Sequence, residues 1–236
     1  MSSFIQKETF KRIISDVKDI IKNPLHNDNI FYKHNESNIL QGSAMIIGSS
    51  DTCYYNGFFF FEFNFPDNYP WKPPKIIYKT NDGITRFNPN LYRDGKVCLS
   101  ILNTWKGDSW SSCQSIRSVL LVLQSILNSE PLLNEPGINR SHEDFNKYNE
   151  IITFKSYEYA LYKQYNQING IYEIFRNEMN EYFKNNKNNI IQQVTNNNIA
   201  IYNKYNKYII RLDVSIYSIS VTIDYKTLIT NLKKCS

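Results

Sequence analysis

The segment FNPNLYRDGKVCLSIL, residues 87–102, contains the residue types with the clearest capacity for chemistry. Asn90 lies eight residues before Cys98, and the turn-forming RDGK separates them. We expect the DG turn to leave the Cys98 thiol accessible at a loop edge, where the charge of Lys96 favours the reactive thiolate. The Asn90 amide has donors but no acid–base function, which suits either oxyanion stabilisation or bracing of the loop. The alternative is an inert, buried Cys98.

Histidine placement limits the kind of cysteine chemistry. The three histidines, His26, His34 and His142, carry no recognisable protease signature, so a conventional Cys–His hydrolase is disfavoured. A thiol that accepts an acyl group and passes it to an amine does not need the histidine base that a Cys–His hydrolase needs. It requires a nucleophilic sulfur, an oxyanion donor and help in removing the proton of the amine. The segment therefore favours acyl transfer over hydrolysis.

Composition is that of an ordinary globular protein, with 236 residues, 42% hydrophobic and 21% charged. The four cysteines are scattered without a CxxC pair, so we expect no zinc site, no disulfide framework, no bound cofactor and a reducing compartment. A net charge of +5, with dispersed lysines, favours acidic protein partners over nucleic acid. The first 24 residues contain no uninterrupted apolar stretch of the kind found in signal peptides, and no window approaches the roughly 18 apolar residues that span a bilayer, so neither secretion nor membrane insertion is expected.

The first element that could position this segment is an amphipathic helix ended by Pro24. Its expected packed face carries apolar residues at three- and four-residue steps: Phe10, Ile13, Ile14, Val17, Ile20 and Ile21. Basic residues occupy several of the other positions: Lys7, Lys11, Arg12, Lys18 and Lys22. Taken alone, this basic face is interpreted as a solvated surface.

Short strands and turns follow from residue 30. The runs SAMIIG (43–48), GFFFFEFNF (57–65) and KIIY (75–78) indicate an antiparallel meander, whereas PDNYPWKPP (66–74) must be a rigid loop because its prolines remove backbone donors. The segment 111–131 predicts a long apolar helix with Ser111 or Ser112 as N-cap, packed across the sheet. This order indicates an α+β domain ending near residue 150.

From about residue 145 the chain is rich in Asn, Lys, Tyr and Ile, which reflects either disordered low-complexity sequence or a nucleotide bias. Hydrophobic spacing nevertheless predicts helices with breaks around Gly170 and 185–189. VSIYSISVTI (214–223) alternates like a strand, but its secondary structure is left open. DYKTLITNLKK (224–234) indicates a short helix. The spacing rests on Tyr157, Leu161, Tyr165, Ile168, Tyr172, Phe175, Met179 and Phe183.

Taken together, YPWKPP, NPNLYRDGKVCLSIL and the Trp-Ser that opens the apolar helix resemble the catalytic core of ubiquitin-conjugating enzymes over roughly residues 5–150. That family has a His-Pro-Asn motif. The Cys that carries the modifier as a thioester lies eight residues after the Asn of this motif. RFNPN, ILNTWKGDSW, LLNEPG and YNE are similar to the large Z-type branch, which serves ubiquitin and a tandem ubiquitin-like modifier.

The resemblance implies an α+β fold in two parts. Residues 1–150 would form the ubiquitin-conjugating core: an N-terminal helix, a four-stranded antiparallel meander, the Cys-bearing loop and packed helices. Residues 151–236 would form a mainly helical C-terminal extension. The likeness is weakest beyond residue 155.

The resemblance also implies catalytic roles. Cys98 would be the thioester nucleophile, and Asn90 would steady the loop and the oxyanion when a lysine attacks. Glu135, in LLNEPG, would orient or desolvate that lysine and take up its proton. The alternative for Glu135 is a solvated loop carboxylate.

Docking roles follow in the same way. Trp71 would present an apolar side chain to ubiquitin ligases, the alternative being a core aromatic. Ser112 lies in the second ligase-contacting loop. Lys7, Lys11 and Arg12 would bind the acidic ubiquitin-fold domain of the activating enzyme.

Three departures from the family pattern stand out. Asn88 replaces the usual histidine, whose role is structural. Ser112 and Cys113 replace Pro-Ala, which puts the usual set of ligases in doubt. Extra residues around Trp105 lengthen the rim of the site and would restrict substrates.

The resemblance thus implies a transferase that receives ubiquitin or a ubiquitin-like protein from an activating enzyme and passes it, usually with a ligase, to a substrate lysine. ATP would be consumed only upstream. The expected location is the cytoplasm, with the nucleus as a second compartment. The alternative is a non-catalytic adaptor with the same fold that binds ubiquitin or ligases.

Overall fold

The computed structural model describes residues 6–167 and 169–235, and it confirms the α+β class. The strands are β1 Ile30–His34, β2 Gln41–Ile47, β3 Phe58–Asn64, β4 Lys75–Tyr78, β5 Ile209–Val214 and β6 Ile219–Asp224. The helices are α1 Lys7–Lys22, α2 Ile116–Ser125, α3 Phe145–Lys155, α4 Ile171–Ile174, α5 Arg176–Tyr205 and α6 Tyr225–Lys234. Short 3₁₀ helices span His26–Asp28, Ser100–Leu102 and Pro131–Asn134, and a π-helix, Ser156–Lys163, continues α3. Within the described ranges, no helix is long and apolar enough to cross a membrane.

Strands β1 to β4 form the antiparallel meander in sequence order, as predicted. Strand β4 coincides with KIIY. Strand β3 alternates in burial only near its end, because Phe58, Phe59, Phe60 and Phe61 are all buried. A run buried on both faces indicates that structure covers both sides of the sheet. Each such phenylalanine contributes about 1.5–3 kcal/mol through removal from water.

The buried stripe of helix α1 agrees with the predicted packed face only in part, at Ile13 and Ile20. Thr9, Ile13, Asp16 and Ile20 face inward, whereas Ile21 is 74% exposed. Phe10, also predicted to pack, is 50% exposed. The buried stripe includes Thr9 and Asp16 because both bond to the proline-rich loop: the Thr9 hydroxyl donates to the Asp67 carbonyl at 2.8 Å, and the Tyr69 hydroxyl donates to Asp16 at 2.5 Å.

Helix α2 is the predicted apolar helix, but it is shorter than predicted, with 10 residues from Ile116 to Ser125, and its N-cap is Ser115 and neither Ser111 nor Ser112. Ser115 and Ser118 form a capping box, in which each side chain accepts a hydrogen bond from the backbone of the other. Ser111 instead stabilises the turn that precedes the helix, since its carbonyl accepts from the Gln114 N–H at 2.9 Å. Several serines in one stretch share capping chemistry, so the sequence alone does not choose among them.

The C-terminal extension packs on the outer face of the sheet. Tyr172 meets Phe60 edge to face at 5.0 Å between ring centroids, and Tyr182 meets Phe58 at 5.8 Å. Lys33 of β1 pairs with Glu178 of α5 at 2.7 Å. One continuous hydrophobic core therefore includes residues of the meander and of the extension.

Helix α5 runs unbroken through 185–189, so the predicted break there is wrong, whereas the break at Gly170 is confirmed. Asn-rich sequence remains helical because it carries a buried stripe: Met179, Phe183, Ile190, Val194 and Ile201. Ile168, part of the predicted pattern, lies outside the described residues. Residue 150 falls inside α3, and the division of the chain at that point stays a prediction.

The ambiguous segment VSIYSISVTI contains the turn of an antiparallel hairpin. Strand β5 pairs with β6 from Ile209 opposite Asp224 to Val214 opposite Ile219, and Ser215–Ser218 close the turn with a 3.1 Å backbone hydrogen bond. The predicted C-terminal helix is confirmed as α6. Its N-cap, Asp224, accepts a hydrogen bond from the Thr227 N–H at 3.0 Å.

Candidate active site

The RDGK turn places Cys98 directly against Asn90. The Tyr92 N–H donates to the Lys96 carbonyl at 2.9 Å, and Gly95 takes a positive φ of 87° that closes the turn at low steric cost. The chain therefore folds back on itself, and the Cys98 N–H donates to the Asn90 carbonyl at 2.8 Å. This reversal is the structural reason for the spacing of eight residues.

The side chain of Asn90 adds a second bond to the same pair. Its Nδ2 donates to the Cys98 carbonyl at 2.8 Å, and its own N–H donates to Asn88 Oδ1 at 2.9 Å. Two functions were considered for this amide, and these contacts support bracing of the loop. Oxyanion stabilisation stays a prediction.

The prediction of an accessible Cys98 thiol is wrong, because Cys98 is only 3% exposed. Its Sγ donates to the carbonyl of Thr104 at 3.4 Å. The chain returns over the sulfur through the 3₁₀ turn Ser100–Leu102 and Asn103, whose φ is 55°. The ammonium of Lys96, which was expected to favour the thiolate, lies 5.5 Å from the ring centroid of Tyr92 and is exposed.

Thr104 fixes this covering segment through its hydroxyl. Its Oγ1 accepts from the Leu99 N–H at 2.9 Å, and it lies 2.8 Å from the Val97 carbonyl and 3.1 Å from the Leu99 carbonyl. One side chain therefore contacts the backbone on both sides of Cys98. Neither the thiol contact nor this clamp has a signature in the sequence.

Asn88, which stands in place of the family histidine, is completely buried at the centre of a hydrogen-bond network. Its Nδ2 donates to the Tyr54 hydroxyl at 2.9 Å and to the Ile126 carbonyl at 2.7 Å. Its Oδ1 accepts from the Asn90 N–H at 2.9 Å and from Asn134 Nδ2 at 3.4 Å. The network joins the Cys98 loop to the end of α2 and to the turn that carries Glu135.

Glu135 makes a contact that sequence reasoning missed. The carboxylate accepts a hydrogen bond at Oε2 from the hydroxyl of Tyr217, with an O–O distance of 2.5 Å. Tyr217 lies in the turn between β5 and β6, 82 residues further along the chain. The alternative interpretation of Glu135, a fully solvated carboxylate, does not describe this arrangement, since the side chain is half-buried and bonded.

The hairpin turn is held in place by Asp144, at the start of α3. Its Oδ2 accepts from the Ser215 N–H at 3.0 Å, the Ser215 hydroxyl at 2.6 Å and the Ile216 N–H at 3.0 Å. Burial works against ionisation of this carboxyl, but the three donors outweigh burial, and the net effect is a lowered pKa of Asp144. The carboxylate form is therefore the one that anchors the turn.

Comparison with known proteins identifies the family. The sequence model described as "Ubiquitin-conjugating enzyme" matches residues 12–156, more than half of the 236 residues. The chain belongs to this family. The human ubiquitin-conjugating enzyme E2 Z is 41% identical over 153 residues, covering 64% of this chain and 43% of the relative.

Two further relatives come from a nematode and from a plant. A probable ubiquitin-conjugating enzyme, protein 17, of Caenorhabditis elegans is 37% identical over 171 residues, covering 67% of this chain and 24% of the relative. A putative ubiquitin-conjugating enzyme E2 39 of Arabidopsis thaliana is 46% identical over 119 residues, covering 48% of this chain and 37% of the relative. The aligned region spans less than half of each of these relatives. The likeness to E2 Z confirms the resemblance to the Z-type branch.

Trp71, the ligase-contact residue expected of a ubiquitin-conjugating enzyme, is 66% exposed, which contradicts its alternative as a core aromatic. The loop beneath it is anchored by Trp110, whose Nε1 donates to the Pro70 carbonyl at 2.6 Å. Ser112 lies just beyond Trp110 and is half-buried. Trp110 therefore connects the two loops of this family member that are predicted to contact ligases.

The three basic residues predicted to dock the activating enzyme differ in their surroundings. Lys7 and Lys11 are exposed on α1. Arg12 is engaged within the protein, because its guanidinium donates to Asp16 at 2.9 Å, to the Ser112 carbonyl at 2.6 Å and to the Gln114 carbonyl. These contacts join α1 to the loop at Ser112 that is predicted to contact ligases, so Arg12 has a structural role in addition to the predicted role in docking.

No group of three or more His, Cys, Asp or Glu side chains that could hold a metal ion occurs in the described part of the chain.

Proposed function

We propose that this chain accepts ubiquitin or a ubiquitin-like modifier from an activating enzyme as a thioester on Cys98 and transfers it to a substrate lysine. The observation that carries the proposal is the doubly hydrogen-bonded pair of Asn90 and Cys98, inside the region that matches the family model. The match covers the whole of the catalytic loop, and the pairing accounts for the spacing of the two residues.

Loading begins when the Cys98 thiol loses its bond to the Thr104 carbonyl and gives its proton to solvent, which leaves a thiolate; the leaving thiolate of the activating enzyme takes up a proton from solvent in turn. The sulfur attacks the carbonyl carbon of the thioester that the activating enzyme carries. A new C–S bond forms, the C–S bond to the activating enzyme breaks, and its thiolate leaves. No other reactant is needed, because ATP has been consumed upstream.

Transfer follows when the amine of a lysine attacks the Cys98 thioester. A C–N bond forms, Glu135 takes the proton of the amine, and the C–S bond breaks to return the Cys98 thiolate. Asn90 keeps the loop in place through its bonds to the Cys98 backbone, and it stabilises the oxyanion if its amide turns toward the reacting carbonyl.

The proposed partners follow from the same scheme. The activating enzyme would dock on α1 through Lys7 and Lys11, and a ligase would bind at Trp71 and Ser112. Substrates and modifiers are proteins, and no nucleic acid or membrane is invoked. The cytoplasm, with the nucleus as a second location, is where these partners would meet the chain. A fluorescent fusion tests the location.

A charging assay tests the function. The chain is mixed with activating enzyme, ATP and each of a panel of modifiers, and its mass is measured. We expect a gain of one modifier that is reversed by reductant, absent in Cys98→Ala and retained in Cys113→Ala, the matched control on an exposed cysteine.

The second candidate is a non-catalytic adaptor, and the observation that favours it is the covered Cys98 thiol. An adaptor would bind ubiquitin or a ligase in a pull-down and form no adduct with any modifier of the panel. That outcome would reject the catalytic proposal.

A further inference from the structure

We propose that Tyr217, in the C-terminal extension, positions the Glu135 carboxylate to receive the proton of the attacking lysine. The inference rests on the proposed function, because it assigns a task within the transfer step. It extends the active site to a segment outside the region that matches the family model, which ends at residue 156.

The contact itself has the form that orients a carboxylate. The Tyr217 hydroxyl donates to Glu135 Oε2 at 2.5 Å, a short, charge-assisted hydrogen bond. A carboxylate has about four acceptor positions on its two oxygens, so one donor leaves room for another. Among the described residues, Oε1 has no hydrogen-bond partner. The bond to Oε2 thus fixes the rotation of the group while Oε1 stays able to accept a proton.

Tyr217 is itself held from several sides. Arg93 donates to its backbone carbonyl at 2.5 Å. The guanidinium of Arg86 lies 4.8 Å from the centre of its ring, and the Tyr148 ring lies 5.9 Å away. Arg86 directly precedes the segment 87–102, and Arg93 lies within it, between Asn90 and Cys98. The tyrosine is therefore anchored to the same loop that carries Asn90 and Cys98.

The backbone next to Tyr217 is also fixed. Asp144 holds Ser215 and Ile216, the two preceding residues, through the three hydrogen bonds described above. A positioning residue must have little freedom of its own. The turn, anchored to α3 on one side and to the catalytic loop on the other, meets that condition.

The Tyr217 hydroxyl remains a donor throughout the physiological range of pH. Burial raises its pKa, and the hydrogen bond to Glu135 raises it further. The phenol therefore keeps its proton, and no proton is transferred through it. Its contribution is to orient Glu135.

Single-turnover discharge tests this assignment. Charged Tyr217→Phe is separated from activating enzyme and mixed with free lysine over a range of concentrations. We expect the maximal discharge rate to fall about tenfold, a part of the 10²–10⁴-fold that a positioned base supplies. We expect the half-saturating lysine concentration and the loading rate to stay unchanged.

Tyr205→Phe is the matched control. Tyr205 lies in the same extension, and its hydroxyl donates to a different carboxylate, Glu150 Oε2, at 2.8 Å. Removing that hydroxyl deletes the same kind of bond elsewhere in the molecule. We expect normal discharge from this variant, and an equal loss of rate in both variants would attribute the effect to general destabilisation and overturn the assignment.

A double-mutant cycle separates positioning from a merely structural effect. Glu135→Ala should load normally and discharge slowly, and adding Tyr217→Phe to it should slow discharge no further. A second, multiplicative loss in the double variant would show that Tyr217 does not act through Glu135.

The failures of the two proposals are distinguishable. If the unmodified chain forms no Cys98 thioester with any modifier, the proposed function fails, and the inference fails with it. If the chain loads and discharges normally and Tyr217→Phe discharges at the same rate, only the assignment of Tyr217 is overturned.

Discussion

The side chain of Asn88 has all of its hydrogen-bonding groups satisfied by its surroundings. Its amide has two donor hydrogens and two acceptor positions, and the four hydrogen bonds described above use all of them. A neutral histidine has one ring donor and one ring acceptor, so it could not replace all four bonds. The departure from the family pattern at this position is therefore matched by a local network built for an amide.

We expect Asn88→Ala to lower the free energy of unfolding by about 2–4 kcal/mol, because it leaves several buried groups without partners. Asn88→Asp keeps the shape but loses both donors, and it should be comparably destabilising. Urea denaturation measures the effect. Asn146→Ala, an exposed site on α3, should change stability by less than about 0.5 kcal/mol. Equal stabilities for the variants at 88 and 146 would contradict a structural role for the network.

At the scale of elements, the segment 99–110 decides whether the proposed nucleophile can be reached. It covers the Cys98 sulfur with the Thr104 carbonyl and is held by the hydroxyl of the same residue. The proposed loading of Cys98 would therefore require a movement of this segment. The extra residues around Trp105, expected to form part of the rim of the site, belong to it and are exposed.

Thr104→Ala should release this cover and raise the alkylation rate of Cys98 by iodoacetamide about fivefold, the equivalent of one hydrogen bond of roughly 1 kcal/mol. Peptide mapping by mass spectrometry measures each cysteine separately. The exposed Cys113 is the internal reference and should react faster than Cys98 in the unmodified chain. Ser109→Ala, in the same segment, should leave both rates unchanged. An unchanged alkylation rate of Cys98 in Thr104→Ala would show that the Thr104 hydroxyl does not hold the covering segment in place.

The elements also show where sequence reasoning succeeds. Strand β4 and helix α6 follow from local pattern and capping, and the pairing of Asn90 with Cys98 follows from a turn of a few residues. The continuity of α5 through 185–189 did not follow, because its support comes from a buried stripe that local Asn and Lys propensities hide. Tyr217 and Glu135 meet across 82 residues, and no rule of spacing connects them.

At the scale of the whole molecule, the extension is packed against both the sheet and the candidate active site. One side covers β3 with Tyr172 and Tyr182, and the hairpin turn places Tyr217 on Glu135. The sequence predicted helices in the extension and left its relation to the core open. That relation depends on long-range contacts between aromatic rings and on one buried carboxylate, Asp144, which are properties of the folded chain alone.

Asp144 gives this attachment a dependence on pH that can be worked out. Its folded-state pKa is lowered from the ordinary value of 3.8, so the carboxylate form binds its three donors more strongly than the protonated form. The resulting stability is fully present above pH 3.8 and is lost as the pH falls through the lower, folded-state value. We expect the unfolding free energy of Asp144→Asn to be lower than that of the unmodified chain at pH 7.

The difference between the two proteins should shrink as the pH is lowered below about 3.8, because protonation removes from the unmodified chain what the substitution has already removed. Urea denaturation at pH 7, 5, 4 and 3 measures it. Asp108→Asn, at an exposed position in the covering segment, controls for the change in net charge. A gap between Asp144→Asn and the unmodified chain that stays constant down to pH 3 would mean that the ionised carboxylate does not hold the hairpin, and the anchoring of Tyr217 would need another source.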